Sequence, residues 1–273
     1  MPRTARIAAV VATLGLAAAT AGGGAGCDRG APLATRPDAA RTAAADPARD
    51  RDFDATLAAI GERRAQLGRA YAAAHDDAGR AAVRAEARAY LLRTIDQDLF
   101  PPWLGTPWGL GRNSTSTRPH QPGMTVGCSY FVTSILGNAG FRLDDRYRFA
   151  QAPALDIQRS LARGSHAIAR FLSIPADQLA RRIAALGDGL YLIGLSNHVG
   201  WVVVDGDRVR LVHASYTGGR VVSDEPLAGA VAIDASRKAG YFVSPVIVAD
   251  ARNDWLIDAW LRGATVRFRG GDG

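Results

Sequence analysis

The sequence predicts an α+β fold, with helices in the first half and a mostly antiparallel sheet in the second. Three observations predict it. Apolar residues recur at helical spacing through residues 53–95, and again from Cys128 to Leu136. From Gly187 onward the pattern changes to short runs rich in Val, Leu, Tyr and Trp, as strands require. Between two of those runs stands Asp205-Gly206, the dipeptide favoured in two-residue hairpins, which join antiparallel neighbours. The 273 residues and 48% apolar content suffice for one domain with a real core plus extensions.

The N-terminal part reads as export machinery. Arg3 and Arg6 precede an apolar run, Ile7 to Ala19, which is short for a bilayer span and suited to a signal peptide. Ala25-Gly26-Cys27 then resembles the lipobox of bacterial lipoproteins, although Gly24 stands where a leucine-like residue is usual. Residues 1–27 are therefore expected to be a signal peptide, with Cys27 the lipidated residue. An ordinary cleaved signal is the alternative. Both place the mature chain outside the cytoplasm, in the cell envelope, and lipidation adds a membrane anchor. Residues 28–52, rich in Ala, Pro, Arg and Asp without a hydrophobic period, are expected to be a disordered tether. No later segment is long and apolar enough to span a bilayer.

Residues 53–98 are expected to form a helical extension. Phe53, Leu57, Ile60, Leu67 and Tyr71 share one face, and Val83, Ala87, Tyr90 and Leu91 resume it after a polar break at residues 75–79. Residues 100–123 form a loop rich in Pro and Gly with Trp103 and Trp108 embedded. Cys128 then opens an amphipathic helix whose stripe runs through Phe131, Val132, Ile135 and Leu136, with Gly140 as C-terminal cap. Ile157, Leu161, Ile168 and Phe171 suggest further helix, and Ser173 to Leu186 another with Pro175 near its start. Strands are expected at 190–195, 198–204, 208–213 and 241–248. Weaker candidates lie at Val221-Val222 and 231–233, and a last helix at 255–261.

The net charge is +7, and of 33 basic residues only Lys238 is lysine. No basic run exceeds two residues and no nucleic-acid motif occurs, so nucleic acid is excluded as the expected partner. A basic exterior is compatible with an anionic envelope surface.

The chemistry centres on Cys128. It is one of two cysteines, and if Cys27 carries lipid it has no disulfide partner. A thiol on a first helical turn lies near unsatisfied N–H groups and the positive end of the helix dipole, which favours thiolate. The alternative is a small buried hydrophobe. A turn centred on Asp205-Gly206 pairs Val204 with Asp207 and sets His198 directly opposite His213, with Cβ atoms about 4.5–5.5 Å apart. Both then share an apolar face with Gly200, Val202, Val204, Val209 and Leu211, while Trp201, Arg208 and Arg210 take the other. Two opposed imidazoles and a free thiol suggest nucleophile, base and orienting residue. A metal site of Cys128, His198 and His213 ranks lower, because no fourth ligand stands out. His75, His120 and His166 receive no role.

These residues resemble the NlpC-type, papain-like cysteine peptidases of bacterial cell walls. The similarity spans residues 104–215. It rests on Gly105-Thr106-Pro107-Trp108, on Gly127-Cys128-Ser129-Tyr130-Phe131-Val132 and on Ala139-Gly140. Further pieces are Phe149-Ala150-Gln151, His198-Val199-Gly200-Trp201-Val202 and Val212-His213-Ala214-Ser215, all in the family's order. The resemblance implies a papain-like domain over residues 99–273 that hydrolyses amide bonds without a cofactor. Cys128 would be nucleophile, His198 base and His213 orienting residue, with Trp108, Ser129 and Tyr130 contacting a peptidoglycan peptide. Gly127, Tyr130 and Trp108 depart from the usual aspartate, glycine and tyrosine, positions that read the stem peptide. The same fold also serves amidases and acyltransferases of other substrates, and a decayed site would leave a binding lipoprotein.

Overall fold

The computed structural model describes residues 47–163 and 167–270. The expected signal segment, Cys27, the tether as far as residue 46 and His166 lie outside the described residues. Helices α1 (Pro47–Ala73) and α2 (Asp77–Thr94) run through a π-helical turn (Ile95–Leu99) into α3 (Phe100–Trp103). After the long loop come α4 (Cys128–Asn138), β1 (Arg142–Leu143), α5 (Arg146–Gln151), α6 (Ala154–Leu161), β2 (Ala169–Phe171) and α7 (Ala176–Ala184). Strands β3 (Gly189–Gly194), β4 (Val199–Asp205), β5 (Arg208–Ala214) and β6 (Val222–Pro226) follow. A 3₁₀ turn, α8 (Val231–Ser236), β7 (Tyr241–Val248), α9 (Asp254–Arg262) and β8 (Thr265–Val266) complete the chain. The main sheet is antiparallel throughout, in the order β2-β7-β3-β4-β5-β6, so the fold is α+β.

The helical extension forms as its periodicity predicts, and Phe53, Ile60, Leu67 and Tyr71 are buried. It begins at Pro47, inside the segment expected to be a tether. Proline suits a first helical position, and Asp50 lies in the positively polarised first turn. Asp76 caps α2 by accepting the Gly79 N–H at 2.7 Å. The Tyr71 hydroxyl and Arg84 both donate to Asp258 at 2.7 Å and so clamp the extension onto α9.

Three element assignments change. Phe100–Trp103, expected to open the loop, is helical. Ala169–Phe171, expected as helix, pairs with Tyr241–Val243 as an edge strand. Residues 231–233, expected as strand, open α8, which buries Ala232, Ile233 and Ser236 at helical spacing. Three apolar residues are too few for periodicity to separate the two states.

The hairpin register also changes. Asp205 pairs with Arg208 and Val204 with Val209, so the turn is Gly206-Asp207. Gly206 takes φ +57°, the glycine place of a type II′ turn, and its N–H donates to Asp188 at 2.8 Å. His213 therefore lies across from Gly200, not from His198: a Cβ at Gly200 would sit 3.0 Å from His213 Cβ. Shifting the turn by one residue moves each partner by two, so both histidines keep the same face.

The opposite face is not solvated. Trp201 is fully buried against Phe100, with ring centroids 6.0 Å apart. Arg210 is ion-paired with Asp96 and Asp224. Helix α4 packs on this face through Phe131 and Val132, whereas α7 covers the histidine face through Leu179 and Ile183. Each such buried side chain contributes roughly 1.5–3 kcal/mol, and covering both faces fixes the sheet that carries the site.

Candidate active site

Helix α4 places Cys128 rigidly. Phe131, Val132, Ile135 and Leu136 are fully buried, and the Phe131 N–H donates to the Gly127 carbonyl at 2.8 Å. At the far end Gly140 adopts φ +87° and the Phe141 N–H closes onto the Leu136 carbonyl at 3.0 Å. Gly127 offers no side chain to cap the first turn. Cys128 is a free thiol.

The sulfur receives backbone N–H groups from Val199, Ser129 and Cys128 itself. Burial nevertheless outweighs them and pushes the thiol pKa up. The expectation that the helix start yields a resting thiolate is therefore reversed: the helix end is there, but the thiol sits in too dry a place.

His198 immediately precedes strand β4 and is 4% exposed. Its Nε2 lies 2.6 Å from His213 Nδ1, and His213 Nε2 lies 2.8 Å from Glu225 Oε1. The proton positions follow from this chain. An ionised Glu225 only accepts, so His213 Nε2 donates to it. In neutral His213 the Nδ1 then accepts, which requires His198 Nε2 to donate. Neutral His198 thus carries its lone pair on Nδ1, the one ring atom left buried without a partner. Burial pushes His198 down to about 3, with the His213 charge adding to the effect. Burial also lowers His213, against the opposing pull of Glu225. Both shifts preserve this tautomer chain by keeping the rings neutral. The Tyr216 ring stands edge-on to His198 at 5.2 Å and completes its surroundings.

Cys128 and His198 both line a cleft of about 490 Å³. Its walls are the Ala150–Leu155 segment and the β3–β4 turn, with Phe242 behind. The two groups are not hydrogen-bonded to each other, a separation common before substrate closes a site.

Of the expected substrate contacts, Ser129 lines this cleft and donates its hydroxyl to the Ala150 carbonyl. Tyr130 does not line it; its hydroxyl accepts from the Gln151 side chain at 3.2 Å, and Gln151 does line it. Trp108 also lies outside. It stacks under Arg220 at 4.6 Å and lies 6.4 Å from Tyr216, the ring that stands edge-on to His198. His213 is wholly buried behind His198. His120, expected to be a bystander, contacts the Leu104 carbonyl at 3.0 Å.

Glu225 was not among the expected site residues. It lies two residues beyond Ser223, the strand partner of His213, and so shares its face. Finding it requires the β5–β6 register, and residues 215–221 that join those strands carry no short-hairpin signal.

Comparison with protein-family models, with curated proteins and with solved structures finds no match to this chain.

Proposed function

We propose that the chain is an exported thiol hydrolase of the papain-like, NlpC-type class, cleaving an amide bond in peptidoglycan peptides. In this reading it is held at the membrane by lipid on Cys27. The observation that carries the catalytic part is the chain Glu225–His213–His198, which ends on a buried, unpartnered Nδ1 of a histidine that lines the same cleft as a free thiol. Cys128 Sγ–H gives its proton to His198 Nδ1 as the sulfur attacks the scissile carbonyl. The uncapped first turn of α4 receives the oxyanion. The His198 imidazolium then protonates the leaving amine, which leaves a thioester on Cys128. Water, deprotonated by His198, attacks the thioester; the acid is freed as the His198 imidazolium returns its proton to the Cys128 sulfur. Thiol and imidazole both favour their neutral forms, so deprotonation accompanies attack and no ion pair precedes it.

The absence of charged side chains from the cleft lining favours a second reading, an amidase or acyltransferase of the same fold with a substrate outside peptidoglycan. A binding lipoprotein with a decayed site would have no need of the intact histidine chain.

Purified muropeptides incubated with wild type and with Cys128→Ser test the proposal. Wild type alone is expected to release products, and intact-mass measurement should find the acyl group on Cys128. Alkylation of Cys128 by iodoacetamide is expected to accelerate continuously as pH rises through about 7–9, as a neutral thiol does. Identical digests from the two proteins would remove the peptidoglycan reading. Absence of any Cys128 acylation by amide or thioester substrates would remove catalysis altogether.

A further inference from the structure

The walls of the cleft carry a second kind of information. Apart from Cys128 and His198, every side chain that lines it is uncharged. This is a selective feature in a chain where charged residues make up 22% and the net charge is +7. Most of the lining is apolar, through Pro153, Ala154, Leu155, Leu195, Val199 and Phe242. Polar groups are neutral and stand at the mouth, where Gln151, Ser196 and Asn197 are exposed. The Gln151 amide is already oriented by the Tyr130 hydroxyl. The two walls also approach closely. A Cβ at Gly194 would lie 3.0 Å from Ala154 Cβ, so glycine there keeps the passage open.

Within the catalytic reading proposed above, we infer that the site selects an acyl group that is electrically neutral and mainly apolar next to the scissile carbonyl. Its own amides are held by the neutral groups at the mouth. A free carboxylate or ammonium entering beside Cys128 would leave water without an ionic partner, the most costly way to bury a charge. An aliphatic side chain replaces water against Leu155 and Phe242 at no such cost. The cleft size is that of ordinary small-ligand sites and suits an acyl residue together with one neighbouring peptide unit. For a peptide substrate, the residue whose carbonyl is attacked is therefore alanyl- or leucyl-like, and not a residue with a free acidic or amino group beside that carbonyl.

The test uses the full chain and matched thioesters of one thiol leaving group. The acyl parts are N-acetylalanyl, N-acetylleucyl, N-acetylglutamyl (free side-chain carboxylate) and N-acetyllysyl. Acylation of Cys128 is followed by mass and by thiol release. Neutral acyl groups are expected to exceed both charged ones in kcat/KM by about 100-fold. A Leu155→Arg variant, which puts a cation on the wall, is expected to shift the glutamyl-to-alanyl ratio at least about tenfold toward glutamyl. Equal or preferred turnover of a charged acyl group overturns the inference while leaving catalysis at Cys128 standing. Failure of all four substrates to acylate Cys128 overturns the catalytic reading itself, and the inference with it.

Discussion

At the scale of single residues, the site is a sequence of hydrogen-bond obligations, and Glu225 is where that sequence starts. Its carboxylate accepts from His213 Nε2, His213 Nδ1 accepts from His198 Nε2, and the lone pair emerges on His198 Nδ1. A Glu225→Gln change keeps the shape and removes the charge. The amide can also donate, which would drive a proton to His213 Nδ1 and onward to His198 Nδ1, where the proposed mechanism sends the thiol proton. Glu225 does not line the cleft, so substrate binding is not its task. The variant is expected to fold normally by circular dichroism, to keep KM, and to lose about 10²-fold in kcat, with partial recovery in Glu225→Asp. A kcat within about threefold of wild type, or a loss confined to KM, would show that the carboxylate does not set the tautomer. Cys128, His198 and His213 were legible from residue type and spacing, because a free thiol and two same-face imidazoles are visible in any register of even parity. Glu225 was not, because a carboxylate near a strand end has no meaning until its neighbour strand is known.

At the scale of elements, helix α4, the hairpin β4–β5 with the residue before it, and strand β6 carry the residues of the candidate site. The helix was readable because its apolar stripe and its Gly140 cap are local signals. The hairpin was readable in its faces but not in its register. The turn settled one residue later than the Asp-Gly signal suggests, and the Asp188 contact to the Gly206 N–H, a long way back in the chain, helps hold it there. That shift matters, because it places Gly200 across from His213. The absent side chain leaves room for the two imidazoles to meet diagonally, with ring centroids 4.9 Å apart and planes at 71°. A Cβ at Gly200 would lie 3.0 Å from both His213 Cβ and Leu211 Cδ1. Neither neighbour can yield easily, since both are fully buried. Gly200→Ala is therefore expected to cost about 1–3 kcal/mol, read as a lower urea midpoint. It should also displace His213 and reduce activity more than its stability loss explains, measured well below the unfolding transition. An unchanged midpoint with full activity would mean that the strand pair has slack where the structure shows none.

At the scale of the whole molecule, the site depends on two layers of helices that dry out both faces of one sheet. That arrangement was only half legible. Alternation along β4 and β5 suggested one solvated face, yet Trp201 is buried and Arg210 is enclosed by Asp96 and Asp224, contacts that arise only when distant elements assemble. The dryness has a consequence for stability. Burial pushes His198 down to about 3 and lowers His213 as well, whereas an unfolded histidine titrates near about 6.5. Between those values the unfolded chain binds protons that the folded protein refuses, so acid favours unfolding. The stabilisation is complete above about pH 6.5 and is lost as pH falls toward about 3. The carboxyls of Asp54, Asp177 and Asp250, held low by Arg118, Arg181 and Arg252, act only at the acid end, below about pH 4. Among the described residues, the histidines are opposed in the earlier window only by Asp224, whose carboxyl burial pushes up. One histidine alone contributes a loss of about 2 kcal/mol by pH 5, equivalent to about 1 M in urea midpoint for a chain of this size. Wild type should show that drop between about pH 7.5 and pH 5, and His198→Gln, which cannot titrate, should show a distinctly smaller one. Equal slopes in the two proteins would place His198 outside the acid sensitivity of the fold and would mean that folding does not lower its pKa.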